Sequence, residues 1–408
     1  LILQAILVAF VAALLATLVK KAVEHSEEIV FHQVRHWPYL LLILPSVGIT
    51  FIYFTRKYLF KGKENKGIKE IYRTVANRKD DLPLYKIPSH YINGFATVVM
   101  GGSTGIEVST VVASAAVGAS AYKNSSVANS LKLEMICAGV AAGVSALFGS
   151  PIVGFLFAIE VIAKKMSKTV LLSTAIASII GWLFVLVFSG QPLFAQAVTF
   201  WKPEALPFMF MLCLLGGLVA VFFTKFVIFA KQFFGSINNN FIRVNLGALL
   251  VGISIFYFPQ LFGDSYHALP ELMQQVSGKT FSLGMIGLLC ALVLLKPIVA
   301  SLTLGAGGDG GVFAPSIVAG AILGMLVATF CNHYFGTHLI ILNFALIGAA
   351  AVLSAAIHAP LTAAFLACSI VPNGYILFIP LLGGAFVAKY AAKLMCNYTV
   401  YTYSAPEA

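Results

Sequence analysis

The chain has 408 residues, of which 60% are apolar and only 10% are charged, and its mean hydropathy is +0.93. Soluble proteins carry roughly 25% charged residues, so this composition excludes a soluble globular protein and indicates one that crosses a membrane several times. The apolar runs are continuous rather than alternating, which excludes a transmembrane β-barrel. We therefore predict an all-α, polytopic integral membrane protein of an inner or plasma membrane.

The formal net charge of +11 is distributed unevenly along the chain. Between Arg56 and Lys86 the sequence has ten Lys or Arg residues against four Asp or Glu residues. Such a segment between hydrophobic spans is typical of a cytoplasmic loop, where basic residues accumulate. A nucleic-acid partner is not expected, because the segment is short and lies between spans, whereas its charge would attract anions to the cytoplasmic mouth.

Twelve apolar runs follow one another along the chain. The first, Leu1–Val19, lacks a basic start and is followed by Lys20 and Lys21, so we interpret it as a membrane helix rather than a cleavable signal. Several runs are too short, or too interrupted by Gly and Pro, to be simple spans, which predicts broken and re-entrant helices. No soluble domain is expected after the last run. The runs lie at 1–19, 38–55, 91–122, 135–163, 169–190, 207–232, 246–262, 281–300, 311–331, 338–357, 359–371 and 374–395.

Two pairs of segments resemble each other at an offset of about half the chain. Positions 138–160 and 347–369 share seven of 23 residues, and Pro151 aligns with Pro360, an offset of 209 (360 − 151). The glycine-rich stretch 105–109 aligns with 311–315 at an offset of 206 (311 − 105). Two pairs at nearly the same offset indicate an internal duplication. We predict one transmembrane domain over 1–408, with a first repeat of about 1–200 and a second of about 205–404.

Three stretches place glycine directly before the expected start of a helix: 65–70, 105–109 and 310–315. The unpaired N–H groups and the positive dipole end of a helix N-terminus bind anions, and glycine lets the backbone approach the ion. Helix starts that point at one spot would hold an anion weakly enough for it to leave again. Close helix packing explains one such stretch equally well, whereas three of them favour an anion pathway.

Glu107 lies in the second of these stretches, and the apolar run Val108–Ala121 follows it. A carboxylate in a membrane segment is costly, and such residues are functional by default. When ionised it would occupy the anion site itself, and when protonated it would swing aside, which predicts a gate linked to protons. The alternative is a structural acid paired with a lysine.

These stretches resemble the motifs of the CLC family of chloride channels and chloride/proton antiporters. Gly310–Pro315 matches the family pattern G-G-x-F-x-P, and Gly105–Ser109 corresponds to G-(K/R)-E-G-P. Ser150–Glu160 is similar to A-P-L-A-G-x-L-F-x-x-E, His358–Thr362 to R-A-P-L-T, and Asn65–Glu70 to G-S-G-I-P-E. The resemblance implies two inverted repeats, a homodimer with one pore per subunit, and bound chloride ions rather than an organic cofactor.

The resemblance, which covers about 50–404, implies a role for each matched position. Glu107 matches the external gating glutamate, and the backbone N–H groups of Val312 and Phe313 match those that bind the central anion. Tyr401, or alternatively Tyr403, matches the pore tyrosine whose hydroxyl binds the same ion; interfacial anchoring is the other explanation for a tyrosine there. The anion-binding positions are Lys66, Gly67, Ile68, Gly105, Ile106, Gly311, Val312, Phe313 and Tyr401.

Several positions depart from the family pattern. Lys66 replaces the serine that contributes a hydroxyl, so it either tightens anion binding from within the pore or, as we favour, snorkels out and leaves the site one ligand short. Ile106 replaces the basic residue before the gate, and Val108 and Ser109 replace the Gly-Pro after it. The internal proton-relay glutamate falls at Val161, which cannot carry a proton and favours a channel or uncoupled transport.

The predicted function is the movement of chloride or a similar small anion, either through a channel or in exchange for protons. A fluoride-selective transporter of the same family is one alternative, motivated by the altered motifs. A cation-coupled solute transporter, in which Glu107 and Asp309 bind the cation, is another. An enzyme is not expected, because the sequence has no metal triad and no nucleophile–base pair.

Three further charged residues lie in or beside apolar runs. Glu160 is expected to pair with Lys164 one helical turn on, and Asp309 is expected to cap the helix that follows it. Lys296 is either a cation that acts on the pore or a residue that snorkels at a helix end.

No metal site is expected. His32 and His36 have the spacing of a metal pair, but with Arg35 beside them and no third ligand we expect a solvated membrane flank. The six cysteines are widely spaced, mostly within apolar runs, and are expected to be small buried residues.

Overall fold

The computed structural model describes residues 1–63, 65–77, 81–123, 131–164, 166–188, 193–278 and 282–403. Several predicted segments include residues outside these ranges: 56–86, 169–190, 281–300, 1–200, 205–404, 50–404 and 1–408. The described ranges contain sixteen α-helices: α1 (Ile2–His36), α2 (Leu40–Phe54), α3 (Ile68–Ala76), α4 (Lys86–Val99), α5 (Glu107–Lys123), α6 (Lys132–Phe148), α7 (Pro151–Phe157), α8 (Lys168–Phe188), α9 (Leu206–Gly235), α10 (Asn240–Tyr257), α11 (Ala268–Gly278), α12 (Leu283–Ala306), α13 (Phe313–Phe335), α14 (Ile341–Ile357), α15 (Pro360–Ser369) and α16 (Phe378–Met395).

Eight helical segments in the described ranges are long and apolar enough to cross a membrane, which confirms the predicted multi-pass, all-α architecture. They differ in how much of each span is buried inside the protein: 83% for α13, against 28–44% for the other seven. Among these eight segments α13 is therefore the one most enclosed by protein, whereas the other seven present much of their surface outward.

Helix α1 is much longer than the apolar run Leu1–Val19 that predicts it. It continues through the more polar residues 20–36 and ends at His36. The backbone of the next residue, Trp37, is no longer helical, with φ −132° and ψ 76°. The following residue, Pro38, disfavours helical backbone at the position before it. The polar second half of α1 brings several carboxylates close to the functional site described below.

The predicted run 91–122 is a broken helix, split between α4 and α5 by residues 100–106. Gly101 has φ +86°, a conformation that residues with a side chain rarely adopt. A methyl group at Gly101 would also lie 2.8 Å from Cε2 of Phe262. Glycine therefore lets the chain leave α4 and pass close to the loop that follows α10.

The duplication is visible in the helices themselves. α6 and α14 each have 17 residues, and each is followed by a residue in left-handed conformation, Gly149 with φ 65° and His358 with φ 57°. Two residues later a proline begins a short helix, Pro151 in α7 and Pro360 in α15. Proline suits this position because its φ is preset and its missing N–H would be unpaired there. The outer limits of the two repeats stay a prediction.

Small residues bring helices together at equivalent places in both repeats. A methyl group at Gly348 of α14 would lie 2.1 Å from the carbonyl oxygen of Gly320 in α13, and one at Gly139 of α6 would lie 2.2 Å from the carbonyl oxygen of Ser114 in α5. Such close backbone approach is typical of helix pairs in membranes. It fixes α5 and α13, the two helices whose first turns form the site.

Candidate anion site

The two glycine-rich stretches that the duplication relates meet inside the protein. Gly105 and Gly311 form an isolated antiparallel bridge, and they are separated by the offset of the duplication, 206 (311 − 105). A residue that pairs antiparallel with its own counterpart lies beside a two-fold axis, as the two halves of an inverted repeat require. Helices α5 and α13 begin on the two sides of this bridge.

The third helix start joins the other two through Val108. A methyl group at Gly67, just before α3, would lie 3.5 Å from Cγ1 of Val108, and one at Gly311 would lie 2.1 Å from its Cγ2. Val108 therefore fills the space between the starts of α3 and α13. The structure brings all three predicted glycine stretches together around this one side chain.

Helices α3 and α13 begin without a side-chain cap. Their N-cap residues, Gly67 and Val312, make no side-chain hydrogen bond to the first turn. Gly67 (φ 64°) and Gly310 (φ 145°) adopt backbone conformations that favour glycine. Uncapped N–H groups at the positive end of a helix dipole attract anions, and anion binding by the backbone of Val312 and Phe313 stays a prediction.

Glu107 is the first residue of α5 and is only 4% exposed. Its Oε1 accepts a hydrogen bond from the Tyr266 hydroxyl at 2.9 Å. Its buried Oε2 makes no close hydrogen bond, although the carboxylate faces the backbone N–H of Glu107 itself. A methyl group at Gly105 would lie 2.0 Å from Oε2 and 2.7 Å from Cβ of Ala314 in the first turn of α13. The carboxylate therefore lies between the starts of α5 and α13, where it would compete with an anion.

Tyr401 and Tyr403 lie in different surroundings. The Tyr401 side chain is 7% exposed, and its buried hydroxyl lies 3.4 Å from where a methyl group on Gly311 would be. The hydroxyl faces the backbone N–H of Val312 but makes no close hydrogen bond. The Tyr403 hydroxyl accepts a hydrogen bond from Gln232 at 3.2 Å. A buried hydroxyl without a partner is costly unless something at the site completes it. Of these two residues, Tyr401 is the one beside the converging helix starts.

The remaining predicted site residues differ in how deeply they are buried. Ile68 and Ile106 are buried, with 0% and 7% exposure. Lys66 is exposed, and its backbone N–H donates to the Glu70 carboxylate, so its ammonium is not enclosed by the converging helix starts. Val161 is 2% exposed and lies in the π-helical turn Ala158–Ala163 that continues α7. The predicted proton-relay position is thus apolar and buried.

A polar network behind the site centres on Asp309, and sequence reasoning missed it. Oδ2 of Asp309 accepts a hydrogen bond from the Asn65 amide at 2.5 Å, and Oδ1 accepts one from the Gly310 N–H at 3.0 Å and faces Nδ1 of His90 at 3.3 Å. The predicted cap is wrong: α13 has no side-chain cap, because the carboxylate turns toward α4 and the segment before α3. Asn65 is 244 residues away in sequence, so no local spacing indicates this contact.

Lys296 is fully buried, and snorkelling is the wrong interpretation of it. Its ammonium donates three hydrogen bonds, to Oγ of Ser103 at 2.8 Å, to the carbonyl oxygen of Gly263 at 3.0 Å and to Oγ of Ser265 at 2.7 Å. Nearby carboxylates, Asp264 first among them, interact with its charge. Three acceptors and opposite charges offset part of the loss of water that burial of an ammonium entails.

A cavity of about 750 Å³ has Glu107 in its wall. Desolvation raises the pKa of Asp264. Desolvation and the positive charge of Lys296 lower the pKa of His267 to about 4, so this histidine is neutral near pH 7 and does not offset the acids. Six carboxylic acids line the cavity against one lysine, and Ile106 adds no positive charge. Its acidic and basic lining residues are Glu24, Glu27, Glu28, Glu107, Asp264, Glu271, Lys20 and His267.

Glu160 contacts the other repeat rather than Lys164. Its Oε1 accepts a hydrogen bond from the Leu361 N–H at 3.2 Å, and its Oε2 accepts the N–H and the hydroxyl of Thr362, both at 2.8 Å. The Lys164 ammonium instead lies 4.0 Å from the ring centroid of Tyr72. The predicted pairing is wrong because it needs a regular α-helix: Glu160 lies in a π-helical turn, and Lys164 ends it with φ 52°.

His32, His36 and the six cysteines are the side chains that could suggest a metal site. In the part of the chain that the structure describes, no group of three or more His, Cys, Asp or Glu side chains is placed to hold a metal ion. Nδ1 of His36 lies 2.9 Å from the carbonyl oxygen of His32. Five cysteines are buried as predicted, whereas Cys290 is exposed on α12.

Comparison with known proteins identifies the family. The family model described as "Voltage gated chloride channel" matches residues 47–393. The chain belongs to this family, the CLC proteins. It is 25% identical over 390 residues to the H+/Cl− exchange transporter ClcA of Vibrio vulnificus, covering 89% of this chain and 79% of the relative. It is 26% identical over 377 residues to ClcA of Vibrio parahaemolyticus, with the same coverage.

Solved structures with the same fold agree with this assignment. A CLC-type fluoride/proton antiporter has a TM-score of 0.80 at 22% identity, with 98% of this chain and 96% of that chain covered. A slow cyanobacterial Cl−/H+ antiporter has a TM-score of 0.82 at 18% identity, with the same coverage. The predicted CLC-type membrane fold is confirmed.

Proposed function

We propose that this CLC-type anion transporter moves chloride, or a similarly small anion, through the meeting point of the helix starts, with Glu107 as its gate. The observation that carries the proposal is the bridge between Gly105 and Gly311, because it brings the Glu107 carboxylate and the uncapped first turn of α13 to one spot. The relatives named H+/Cl− exchange transporters support chloride as the first anion to test.

The proposed gate works by competition for backbone N–H groups. An ionised Glu107 carboxylate occupies the space between the starts of α5 and α13. Protonation removes its charge and its hold on that space, so an anion binds the N–H groups of Val312 and Phe313 and the hydroxyl of Tyr401. Because dipoles rather than a full positive charge hold the ion, it also leaves readily.

Coupling to protons is the second part of the proposal. Val161 offers no titratable group at the internal relay position, which favours channel-like or uncoupled movement. An exchange mode is supported by the relatives' activity and by the acidic cavity beside Glu107, which concentrates protons there. Simultaneous recording of chloride efflux and proton uptake in liposomes decides between them: uphill proton movement driven by a chloride gradient establishes exchange.

Substitution of the gate tests the site. We expect Glu107→Gln to give anion flux that no longer depends on pH, because the amide neither ionises nor competes with the anion. The matched control is Glu204→Gln, at an exposed acid in the turn before α9, which should keep the wild-type pH profile. A Glu107→Gln protein that folds normally and conducts no anion at any pH refutes the gate. Flux that requires a sodium gradient favours the cation-coupled alternative.

Fluoride is the second candidate anion. The observation in its favour is Val108, whose side chain fills the space between Gly67 and Gly311 and narrows the site for a larger ion. A neighbouring fold is that of a fluoride/proton antiporter. Paired efflux measurements with fluoride and chloride separate the two, since a fluoride-selective protein releases fluoride while retaining chloride.

We also propose a homodimer with one pore in each subunit, in an inner or plasma membrane. Membership of the CLC family supports this assembly, and the outward-facing apolar spans supply surface for it. Cross-linking in native membranes, followed by mass measurement of the purified product, checks the proposal: a product of one chain's mass contradicts it.

A further inference from the structure

We propose that Tyr266 is a latch that holds the Glu107 carboxylate in its closed position, and that Lys296 positions this latch. The inference rests on Glu107 being the gate and adds the residues that set how readily the gate opens. Neither Tyr266 nor its loop belongs to the motifs that indicated the anion site.

The latch is a single hydrogen bond between two parts of the chain. The Tyr266 hydroxyl donates to Oε1 of Glu107 at 2.9 Å, across 159 residues of sequence. Oε2 of the same carboxylate makes no close hydrogen bond, and the carboxylate also faces the backbone N–H of Glu107 itself. Tyr266 therefore supplies the side-chain hydrogen bond that the closed carboxylate has, and a hydrogen bond to a charged group is among the stronger ones in proteins.

The backbone fixes the tyrosine from behind. The N–H of Tyr266 donates to Oδ1 of Asp264 at 2.9 Å. Ser265 has φ 68°, an uncommon conformation for a residue with a side chain, and it directs the chain from Asp264 into Tyr266. This short turn aims the hydroxyl at the gate.

Lys296 ties the latch segment to the gate segment. Two of its hydrogen bonds go to the latch side, to the Gly263 carbonyl and the Ser265 hydroxyl, and the third goes to Ser103, four residues before Glu107. All three ammonium N–H groups are used, and the side chain is fully buried. One ammonium thus sets the distance between the loop that carries the donor and the loop that carries the acceptor.

A cavity adjoins the Glu107 carboxylate. Glu107 and Tyr266 both line the 750 Å³ cavity, so a Glu107 side chain that leaves the latch can turn into this space without displacing a helix. The gate therefore has a closed position that the tyrosine holds and an adjoining space for the open one. Loss of the hydroxyl weakens the closed position and leaves the open one unchanged.

The test is Tyr266→Phe, which removes one oxygen and keeps the ring. Anion efflux from liposomes is measured at a pH at which Glu107 is ionised and the wild-type gate is mostly closed. We expect efflux to rise by roughly tenfold, because the loss of a hydrogen bond to a charged group changes an equilibrium by about tenfold or more. The matched control is Tyr257→Phe at an exposed tyrosine of α10, which should change efflux less than twofold.

A double-substitution cycle separates a latch from a structural role. In a Glu107→Ala background there is no carboxylate to hold, so Tyr266→Phe should add less than a twofold change. Lys296→Met should raise efflux in the same direction, and it should add little to Tyr266→Phe, because both act on one contact. The melting temperature of each variant identifies any that fail to fold. If Lys296→Met does not fold, Tyr266→Phe still tests the latch.

Each outcome decides. An equal effect of Tyr266→Phe in the presence and absence of the Glu107 carboxylate overturns the latch, as does no effect in the wild-type background. If Tyr266→Phe has no effect in the wild-type background but Glu107→Ala still opens the pore, the gate stands and only the latch is refuted. If Glu107→Ala fails to raise efflux, the proposed gate is wrong and the latch with it.

Discussion

Glu160→Gln tests how the two repeats are joined on the side away from the gate. The Glu160 carboxylate, at the end of the first repeat's Pro-led helix, accepts the first-turn N–H groups of α15 in the second repeat. It also accepts the Thr362 hydroxyl. It thereby satisfies orphan donors at a helix N-terminus, where a negative charge is also favoured by the dipole.

The cost of the substitution follows from these contacts. A glutamine has one acceptor oxygen, so when this oxygen takes the place of Oε2 it keeps both Thr362 contacts, and the new NH2 group faces the Leu361 N–H as a second donor. One charge-assisted hydrogen bond is lost, worth about 1.5–3 kcal/mol, and the dipole interaction is lost as well, about 0.3–1 kcal/mol. We expect a free energy of unfolding lower by about 2–3 kcal/mol.

The measurement is thermal inactivation of the detergent-solubilised protein, scored as the rate of loss of monodisperse protein at one temperature, since large membrane proteins unfold irreversibly. The control is Lys164→Met. The Lys164 ammonium lies over Tyr72, so its loss should cost no more than about 0.5–1 kcal/mol. Equal destabilisation by both substitutions, with no further loss in the double variant, would mean that Glu160 and Lys164 pair after all and would refute the inter-repeat contact.

Two further predictions concern the walls of the anion site. Tyr401→Phe should weaken the apparent anion affinity in concentration-dependent flux by roughly fivefold to tenfold, for a lost hydrogen bond of about 1 kcal/mol or slightly more. The control is Tyr403→Phe, which should leave the affinity unchanged because the Tyr403 hydroxyl pairs with Gln232. The reverse result would assign the role of pore tyrosine to Tyr403. Asp309→Asn should lower protein stability by about 1–3 kcal/mol, the usual cost of an unsatisfied buried donor, because the new NH2 group cannot accept the hydrogen bond that one carboxylate oxygen takes from Asn65 or from the Gly310 N–H. A melting temperature equal to that of the wild type would show that Asp309 does not hold the glycine segments together.

The sequence predicted this protein's class well because the signals are local or repeated. Composition alone excludes a soluble protein, and helix-breaking glycines predict the break between α4 and α5. The duplication appears as a fixed offset because both copies have kept the same helix, left-handed turn and Pro-led helix. The bridge between Gly105 and Gly311 then falls on residues that the offset already relates.

The errors share a physical cause, which is that charged groups in a membrane protein choose partners across the fold. Glu160 was assigned a neighbour one turn away, but a π-helical turn removes the regular spacing, and a helix start from the other repeat offers better donors. Asp309 was assigned to the next helix, but its carboxylate faces α4. Of the two alternatives for Lys296, only the snorkelling one is wrong, because three acceptors from two loops keep its ammonium buried.

What the sequence determined by itself is the membrane class, the duplication, and the three glycine-bearing helix starts with one acid among them. Those features follow from hydropathy, from residue identity at fixed spacing, and from the backbone freedom of glycine. The tertiary structure alone decided that Val108 lies between the helix starts, that Tyr401 rather than Tyr403 lies beside them, and that Tyr266 holds Glu107. These contacts join residues up to 203 positions apart (311 − 108), and only the packing of the two repeats against each other brings them together.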